Sequence, residues 1–180
     1  VTPDTFAQTS SPGQIAEHIR ASLVQIQLNE ANNPTAAQVH LNELYRQYTF
    51  IRPKIVHYTV IADDIIQHGF RSAQAALEMT DIPRFAAARA QIWTGLLYGG
   101  YSVVTGALQD GDALTARQWL SVREFRHAAE ALAAVQADLL DTYQARLQEA
   151  LQSLANADQQ GFVSRRAEAA ALAAGYFTIL

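Results

Sequence analysis

The sequence contains no cysteine, few glycines and prolines, and no run of basic residues. Without cysteine, its 180 residues can form no disulfide, no thiolate zinc site and no thiol nucleophile. Its 13 basic and 17 acidic residues give a formal net charge of −4, and no cluster of positive charge is available for nucleic-acid phosphates. These absences exclude the thiol enzymes and argue against a nucleic-acid partner.

What remains is typical of a helical protein. Hydrophobic residues make up 49% and charged residues 17% of the chain, and no segment alternates with period two for long enough to predict a strand. Ser11 to Gln14 has the pattern of a helix start with a capping box. Four apolar residues then recur at intervals of three and four and predict one buried helix face: Ile15, Ile19, Leu23 and Ile26. We predict an all-α fold, an antiparallel bundle of about five or six helices.

Proline, glycine and aspartate predict the ends of those helices. Pro53 predicts a break or kink after Arg52, with a third helix from residue 53 to about residue 79. Asp81 and Asp112 are suited to N-capping, and a fifth helix is predicted over residues 113–155 with a break near residue 126. The final helix begins near Phe162.

A weak repeat accompanies these turns and leaves helical-hairpin packing open as an alternative to a simple bundle. Two sets of four residues share the same spacing: Leu77, Asp81, Phe85 and Arg89, and Leu154, Asp158, Phe162 and Arg166. Shared capping chemistry also explains this spacing without a repeat.

Residues 90–109 carry no formal charge and contain Gly95 and Gly99 at the spacing found in packed membrane helices. The segment also contains glutamine, serine and threonine, and only about half of it is strongly apolar. We therefore predict a central buried helix here.

Without cysteine, a metal site would depend on histidine and carboxylates. Glu124 and His127 have the spacing by which one helix supplies two ligands to a carboxylate-bridged iron site, and Glu130 continues the same face. Asp64 and His68 share a helix face at a spacing of four. These five residues are the candidate metal ligands, and surface ion pairing is the alternative for each pair.

The acidic pair Asp63 and Asp64 lies among isoleucines, so at least one of these carboxylates should lie at the edge of the core. A buried carboxylate needs a partner, and the candidates are Arg52, Lys54 and His68. The tyrosines are expected to pack at the core edge. The sequence contains no glycine-rich phosphate loop, no Ser-His-Asp signature and no H-E-x-x-H, so we predict no enzymatic activity.

Three segments resemble the extracytoplasmic helical region of bacterial high-affinity iron permeases of the Ftr type. They are residues 112–126 (DALTARQWLSVREFR), residues 137–151 (ADLLDTYQARLQEAL) and the terminal Ala173-Ala174-Gly175-Tyr176-Phe177. The R-E-x-x-E motif of that family's membrane helices is absent, because Arg123-Glu124 is followed by Phe125, Arg126 and His127. No iron-translocating residue can therefore be transferred to this chain.

The resemblance implies a non-enzymatic extracytoplasmic domain, on the periplasmic or cell-surface side, that aids iron delivery, regulation or partner docking. Its partners would be iron ions and an extracytoplasmic iron-uptake protein, with no cofactor required other than iron if a metal binds. Residues 167–180 read as a helix that stops in mid-pattern. We therefore expect a fragment of a longer membrane protein, tethered through residues outside this chain, with an extended or disordered segment at residues 1–11 and one helical domain at 12–180.

Two other functions remain open. One is a helical-hairpin module for protein–protein interaction with no metal role. The other is a carboxylate and histidine bundle that binds iron through the residues named above.

Overall fold

The computed structural model describes residues 10–27, 33–120 and 132–180, and these residues form seven helices and no strand. The all-α prediction is confirmed. Most of the predicted N-terminal segment, residues 1–9, lies outside the described residues. The helices are α1 (Pro12–Gln25), α2 (Pro34–Tyr58), α3 (Val60–Glu78), α4 (Ile82–Gln109), α5 (Ala113–Trp119), α6 (Leu132–Gln159) and α7 (Val163–Ile179).

The predicted helix starts are confirmed by their capping bonds. The Ser11 hydroxyl accepts from the Gln14 N–H at 3.3 Å, and the Ser11 N–H donates to Gln14 Oε1 at 2.8 Å, which completes the capping box. Asp81 accepts from the Arg84 N–H at 3.0 Å, and Asp112 caps α5 in the same way. Each cap satisfies an N–H group that has no partner within its helix.

The prediction that a third helix begins at Pro53 is wrong, because α2 continues through Pro53 to Tyr58 and α3 begins at Val60. Pro53 removes one backbone donor, but tertiary contacts on both sides hold the helix together. Before it, Tyr48 and Arg52 bond to a carboxylate of α3, and after it Ile55 is fully buried. The chain turns instead at Thr59, whose backbone is extended and whose hydroxyl caps α3.

The repeated spacing does not correspond to a repeated structure. The turns before Asp81 and Asp112 share one backbone pattern, in which the aspartate N–H donates to a carbonyl five residues earlier. At the third such turn the equivalent residue is Phe162, whose N–H donates to Ala157, while Asp158 lies inside α6. Asp158, which matches Asp81 in the sequence pattern, therefore lies one helical turn before Phe162, the residue that is equivalent to Asp81 in the structure.

Helix α4 lies at the centre of the bundle and packs against α3 on one side and α7 on the other. Its glycines allow this close approach. A Cβ atom at Gly95 would lie 2.7 Å from Ile66 of α3, and one at Gly99 would lie 3.1 Å from Ile55 of α2. The prediction of a central buried helix is confirmed, and among the described residues no helix is long and apolar enough to cross a membrane.

Two hydrophobic cores result. The first core lies among α1 to α5 and is rich in isoleucine, leucine and alanine. The second core lies where α6 and α7 pack on α4, and its buried members are Tyr143, Ala150, Ala173, Tyr176 and Ile179. The second core is smaller and contains more phenol groups.

Candidate functional site

The predicted acidic pair of α3 divides into one buried and one exposed carboxylate. Asp63 is 3% exposed, and it accepts a hydrogen bond from the Tyr48 hydroxyl at 2.5 Å. Arg52 donates to its two oxygens at 2.8 and 3.0 Å, and Gln67 donates at 2.6 Å. The prediction of a buried carboxylate with Arg52 as its partner is confirmed.

The other two predicted partners do not reach this carboxylate. The Lys54 Nζ lies 3.9 Å from Asp112 Oδ2 and 3.4 Å from the hydroxyl of Thr115. His68 is exposed on α3. The buried carboxylate of Asp63 on α3 is therefore paired with the exposed Arg52 of α2.

The electrostatics of Asp63 are those of a saturated structural carboxylate. Burial alone would raise its pKa, but the hydrogen bonds from Arg52, Tyr48 and Gln67 outweigh burial and lower the pKa. Four hydrogen bonds occupy the lone pairs of the two oxygens, so little capacity remains for a metal ion. This cluster joins α2 to α3.

Of the predicted metal ligands, only Asp64 and His68 lie among the described residues. Asp64 and His68 are both exposed on α3, one turn apart. Within the described part of the chain, no group of three or more histidines and carboxylates comes together as a metal site would require. Glu124, His127 and Glu130 lie outside the described residues, so a site that includes them stays a prediction.

A groove of about 590 Å³ opens beside the second core, and we call it the tyrosine groove. Four helices line it: α1, α4, α6 and α7. Its apolar and aromatic lining includes Trp93, Leu97, Tyr143, Leu172 and Tyr176, and its charged lining comprises Glu17, Arg20, Arg146 and Glu149. The volume falls in the range of small-molecule sites.

Each charged side of the tyrosine groove carries an arginine paired with a glutamate three residues away. On α1, the Arg20 Nε lies 3.0 Å from each oxygen of Glu17, and the Arg20 guanidinium lies 5.3 Å from the Trp93 ring centre. On α6, the Arg146 Nη1 donates to Glu149 at 2.7 Å. Formal charges therefore cancel in the groove, while the cation–π contact holds Arg20 against the aromatic surface.

The rings of Tyr143 and Tyr176 in the tyrosine groove are stacked at an interplanar angle of 26°, with ring centres 6.3 Å apart. Burial raises the pKa of Tyr143 to about 12. Burial also raises the pKa of Tyr176, although the Trp93 indole N–H and the charges of Arg146 and Arg20 oppose part of that rise. Both hydroxyls are therefore neutral donors at pH 7.

The Tyr143 hydroxyl has no hydrogen-bond partner among the described residues. The residue is 7% exposed and lines the groove. A buried phenol ordinarily finds a partner, so this hydroxyl has unused capacity as a donor and acceptor.

Sequence reasoning assigned Tyr143 to core-edge packing and did not find the tyrosine groove. Its residues come from four helices and from positions as far apart as Glu17 and Tyr176. The local signals, Arg20 with Glu17 and Arg146 with Glu149, are indistinguishable in sequence from ordinary surface pairs. Only the packing of α6 and α7 against α4 brings them together.

The chain matches the family model described as the iron permease FTR1 N-terminal domain over residues 8–130 and 127–180. No curated protein and no solved structure matches the chain. The match extends the predicted resemblance from the second half of the sequence to nearly all of it. The chain therefore belongs to the family of the iron permease FTR1 N-terminal domain.

Proposed function

We propose that this chain is a non-enzymatic extracytoplasmic domain that assists an iron permease by receiving or delivering iron-bearing ligands or by docking an uptake partner. The observation that carries the proposal is the family match, which extends from residue 8 to residue 180. The iron permease family consists of membrane-associated transporters, so the setting of this domain is iron transport.

The residues support an assisting role and not the translocation step. The sequence has His127 where an R-E-x-x-E motif beginning at Arg123 would have its second glutamate. The best-formed carboxylate cluster, around Asp63, is saturated by its neighbours and joins two helices. The tyrosine groove, in contrast, combines a concave shape with polar groups that can still bond to a ligand.

The second candidate function is direct iron binding through carboxylates and histidines. It would require Glu124, His127 and Glu130, or Asp64 and His68, to bind the ion together. Calorimetry with iron(II) and iron(III) tests this candidate. Loss of micromolar binding in the Glu124→Ala/His127→Ala variant, with binding retained in Asp64→Ala/His68→Ala, would favour the first set of ligands.

Iron uptake by cells that carry the full-length protein tests the proposed function. In the double variant Asp63→Ala/Gly175→Ala, the first change removes the partner of Arg52 and Tyr48 and the second adds a methyl group that clashes with Thr94, so we expect the domain to unfold and uptake of radioactive iron to fall severalfold. The matched control is Asp64→Ala/Gly100→Ala, which changes an exposed carboxylate and a glycine with room for a methyl group. Uptake equal to wild type in cells whose domain is shown to be unfolded would contradict the proposal.

The extracytoplasmic location has its own test. Protease added to intact spheroplasts should cleave the Asp63→Ala/Gly175→Ala domain while a cytoplasmic marker protein survives. Cleavage that requires lysis of the spheroplasts would place the domain on the opposite side of the membrane.

A further inference from the structure

We propose that the tyrosine groove binds a small aromatic carboxylate, either as the free acid or as its iron(III) chelate. The ring of the ligand would lie on the apolar and aromatic lining formed by α4, α6 and α7. Its carboxylate would bond to the guanidiniums of Arg20 and Arg146 and to the Tyr143 hydroxyl. This inference deepens the proposed function by naming a ligand class, and its role in transport rests on that function.

The first support is that two cations line one groove together with a phenol. Arg20 of α1 and Arg146 of α6 line the tyrosine groove, as does Tyr176 of α7. A carboxylate bound between α1 and α6 would therefore meet positive charge from both helices.

The second support is the hydrogen-bonding capacity that remains. A guanidinium has five N–H groups. Among the described residues, Arg20 donates through Nε and Nη2 to Glu17, and Arg146 donates through Nη1 to Glu149. Each arginine thus retains donors for a ligand, and the Tyr143 hydroxyl adds a donor that no described residue uses.

The third support concerns the shape of the ligand. Trp93, Tyr143 and Tyr176 present aromatic surface, and Leu97 and Leu172 extend it with apolar side chains. A flat aromatic ring gains contact area on such a surface, whereas a purely polar anion would be desolvated without compensation. Glu17 and Glu149 offset the two cations, so the aromatic contact must supply much of the affinity.

The expected affinity is modest. A ligand of about ten heavy atoms in an open groove should have a dissociation constant on the order of 100 µM. The probe is 2,3-dihydroxybenzoate, titrated with and without iron(III) into this chain and followed by NMR and calorimetry. Catechol, which has the same ring and hydroxyls but no carboxylate, is the ligand control.

Three variants assign the contacts. Arg146→Gln should weaken binding roughly 10-fold, because it removes a charged donor to the carboxylate. Tyr143→Phe should weaken binding roughly 3-fold to 10-fold without lowering thermal stability at pH 7, because its hydroxyl has no partner among the described residues. Arg46→Gln is the matched control, since the Arg46 side chain is 56% exposed against 57% for Arg146 and also faces a glutamate three residues away.

The outcomes separate the sources of the ligand. Binding of the free acid that is weakened by Arg146→Gln and unaffected by Arg46→Gln supports a carboxylate site. Binding seen only with iron(III), with the same pattern of variants, supports recognition of the chelate.

Three outcomes would overturn the proposal. Catechol could bind as tightly as the acid, or Arg146→Gln and Arg46→Gln could weaken binding of the acid equally. The third is no response at 5 mM probe, roughly fifty times the expected dissociation constant. Retained binding combined with unchanged iron uptake in the cellular test would overturn only the proposed transport function.

Discussion

The first core, among α1 to α5, consists largely of branched aliphatic residues, whereas the second core, between α4, α6 and α7, depends on tyrosine and alanine. One polar group of each core can be compared. In the first core, Asp63 is fully bonded to residues of α2 and α3. In the second, the Tyr143 hydroxyl lines a groove without a partner among the described residues. Saturated polar groups stabilise a fold, and unsaturated ones are available to a ligand.

The largest expected effect comes from breaking the polar cluster of the first core. Asp63→Ala would leave the fully buried Tyr48 hydroxyl without its partner and remove the counter-charge of Arg52. We expect the free energy of unfolding to fall by about 3 kcal/mol. Urea denaturation at pH 7 measures this loss, and Asp64→Ala should change stability by less than about 0.5 kcal/mol because its carboxylate is exposed.

The same variant has a defined pH dependence. Because the pKa of Asp63 is lowered in the folded state, its stabilising effect is present above the unfolded pKa near 4 and is lost as the pH falls through the folded pKa. The difference in free energy of unfolding between wild type and Asp63→Ala should therefore become smaller as the pH falls. A difference that is unchanged at pH 2 would show that the ion pair does not account for it.

The second largest effect should come from separating α7 from α4. A Cβ atom at residue 175 would lie 2.2 Å from Thr94 Oγ1 and 2.3 Å from Thr94 Cβ, so α7 would have to shift. We expect Gly175→Ala to destabilise the protein by about 2 kcal/mol, and hydrogen exchange should show faster opening of α6 and α7 than of α2 and α3.

Gly100→Ala provides the control for this substitution. Gly100 lies in the interior of α4, and its added Cβ would lie no closer than 3.8 Å to Trp119. The change should therefore stabilise the protein by up to about 1 kcal/mol. Adding Thr94→Ala should recover part of the loss caused by Gly175→Ala. Uniform loss of protection across both cores in Gly175→Ala would contradict the view that the second core opens separately.

The sequence predicted the first core better than the second for a physical reason. The spacing of Ile15, Ile19, Leu23 and Ile26 and the capping box at Ser11 depend on contacts within one helix, which periodicity reports directly. Arg52 and Asp63 are only 11 residues apart in sequence, and the isoleucines around Asp63 indicate that its buried carboxylate needs a partner.

Other features could not be predicted because they depend on distant contacts. The helix continues through Pro53 because its neighbours on α3 hold it, and propensity alone favours a break. The tyrosine groove joins Arg20 to Arg146, which no local pattern connects. Asp158 matches Asp81 in sequence spacing, but it lies one helical turn too early to cap the following helix, and the spacing alone does not reveal this displacement.

A third experiment contrasts the cores in alkali. Burial raises the pKa of Tyr143 to about 12, so the folded state favours the neutral phenol. This contribution to stability is fully present below the unfolded pKa near 10 and is lost as the pH rises toward the folded pKa. Relative to its own stability at pH 8, wild type should lose about 1 kcal/mol more than Tyr143→Phe at pH 11, as measured by urea denaturation.

Tyr48 of the first core also has a raised pKa, but it is present in both proteins and cancels in the difference. Equal losses in wild type and Tyr143→Phe would mean that the second core admits hydroxide and water freely around this phenol.

The smallest effect concerns a turn that the two regions share. Thr80 between α3 and α4 and Gly161 between α6 and α7 take the same place in their turns, with φ angles of +54° and +69°. This left-handed conformation suits glycine and strains a β-branched residue. Thr80→Gly should therefore stabilise the protein by ~0.5–1 kcal/mol, and Gly161→Thr should destabilise it by a similar amount, both measured by thermal denaturation. Because the added Cβ at residue 161 would contact nothing within 4 Å, backbone conformation alone sets the second value. Opposite signs of similar size would show that the two turns are energetically equivalent although the cores beside them are not, and a loss of stability in Thr80→Gly would contradict that equivalence.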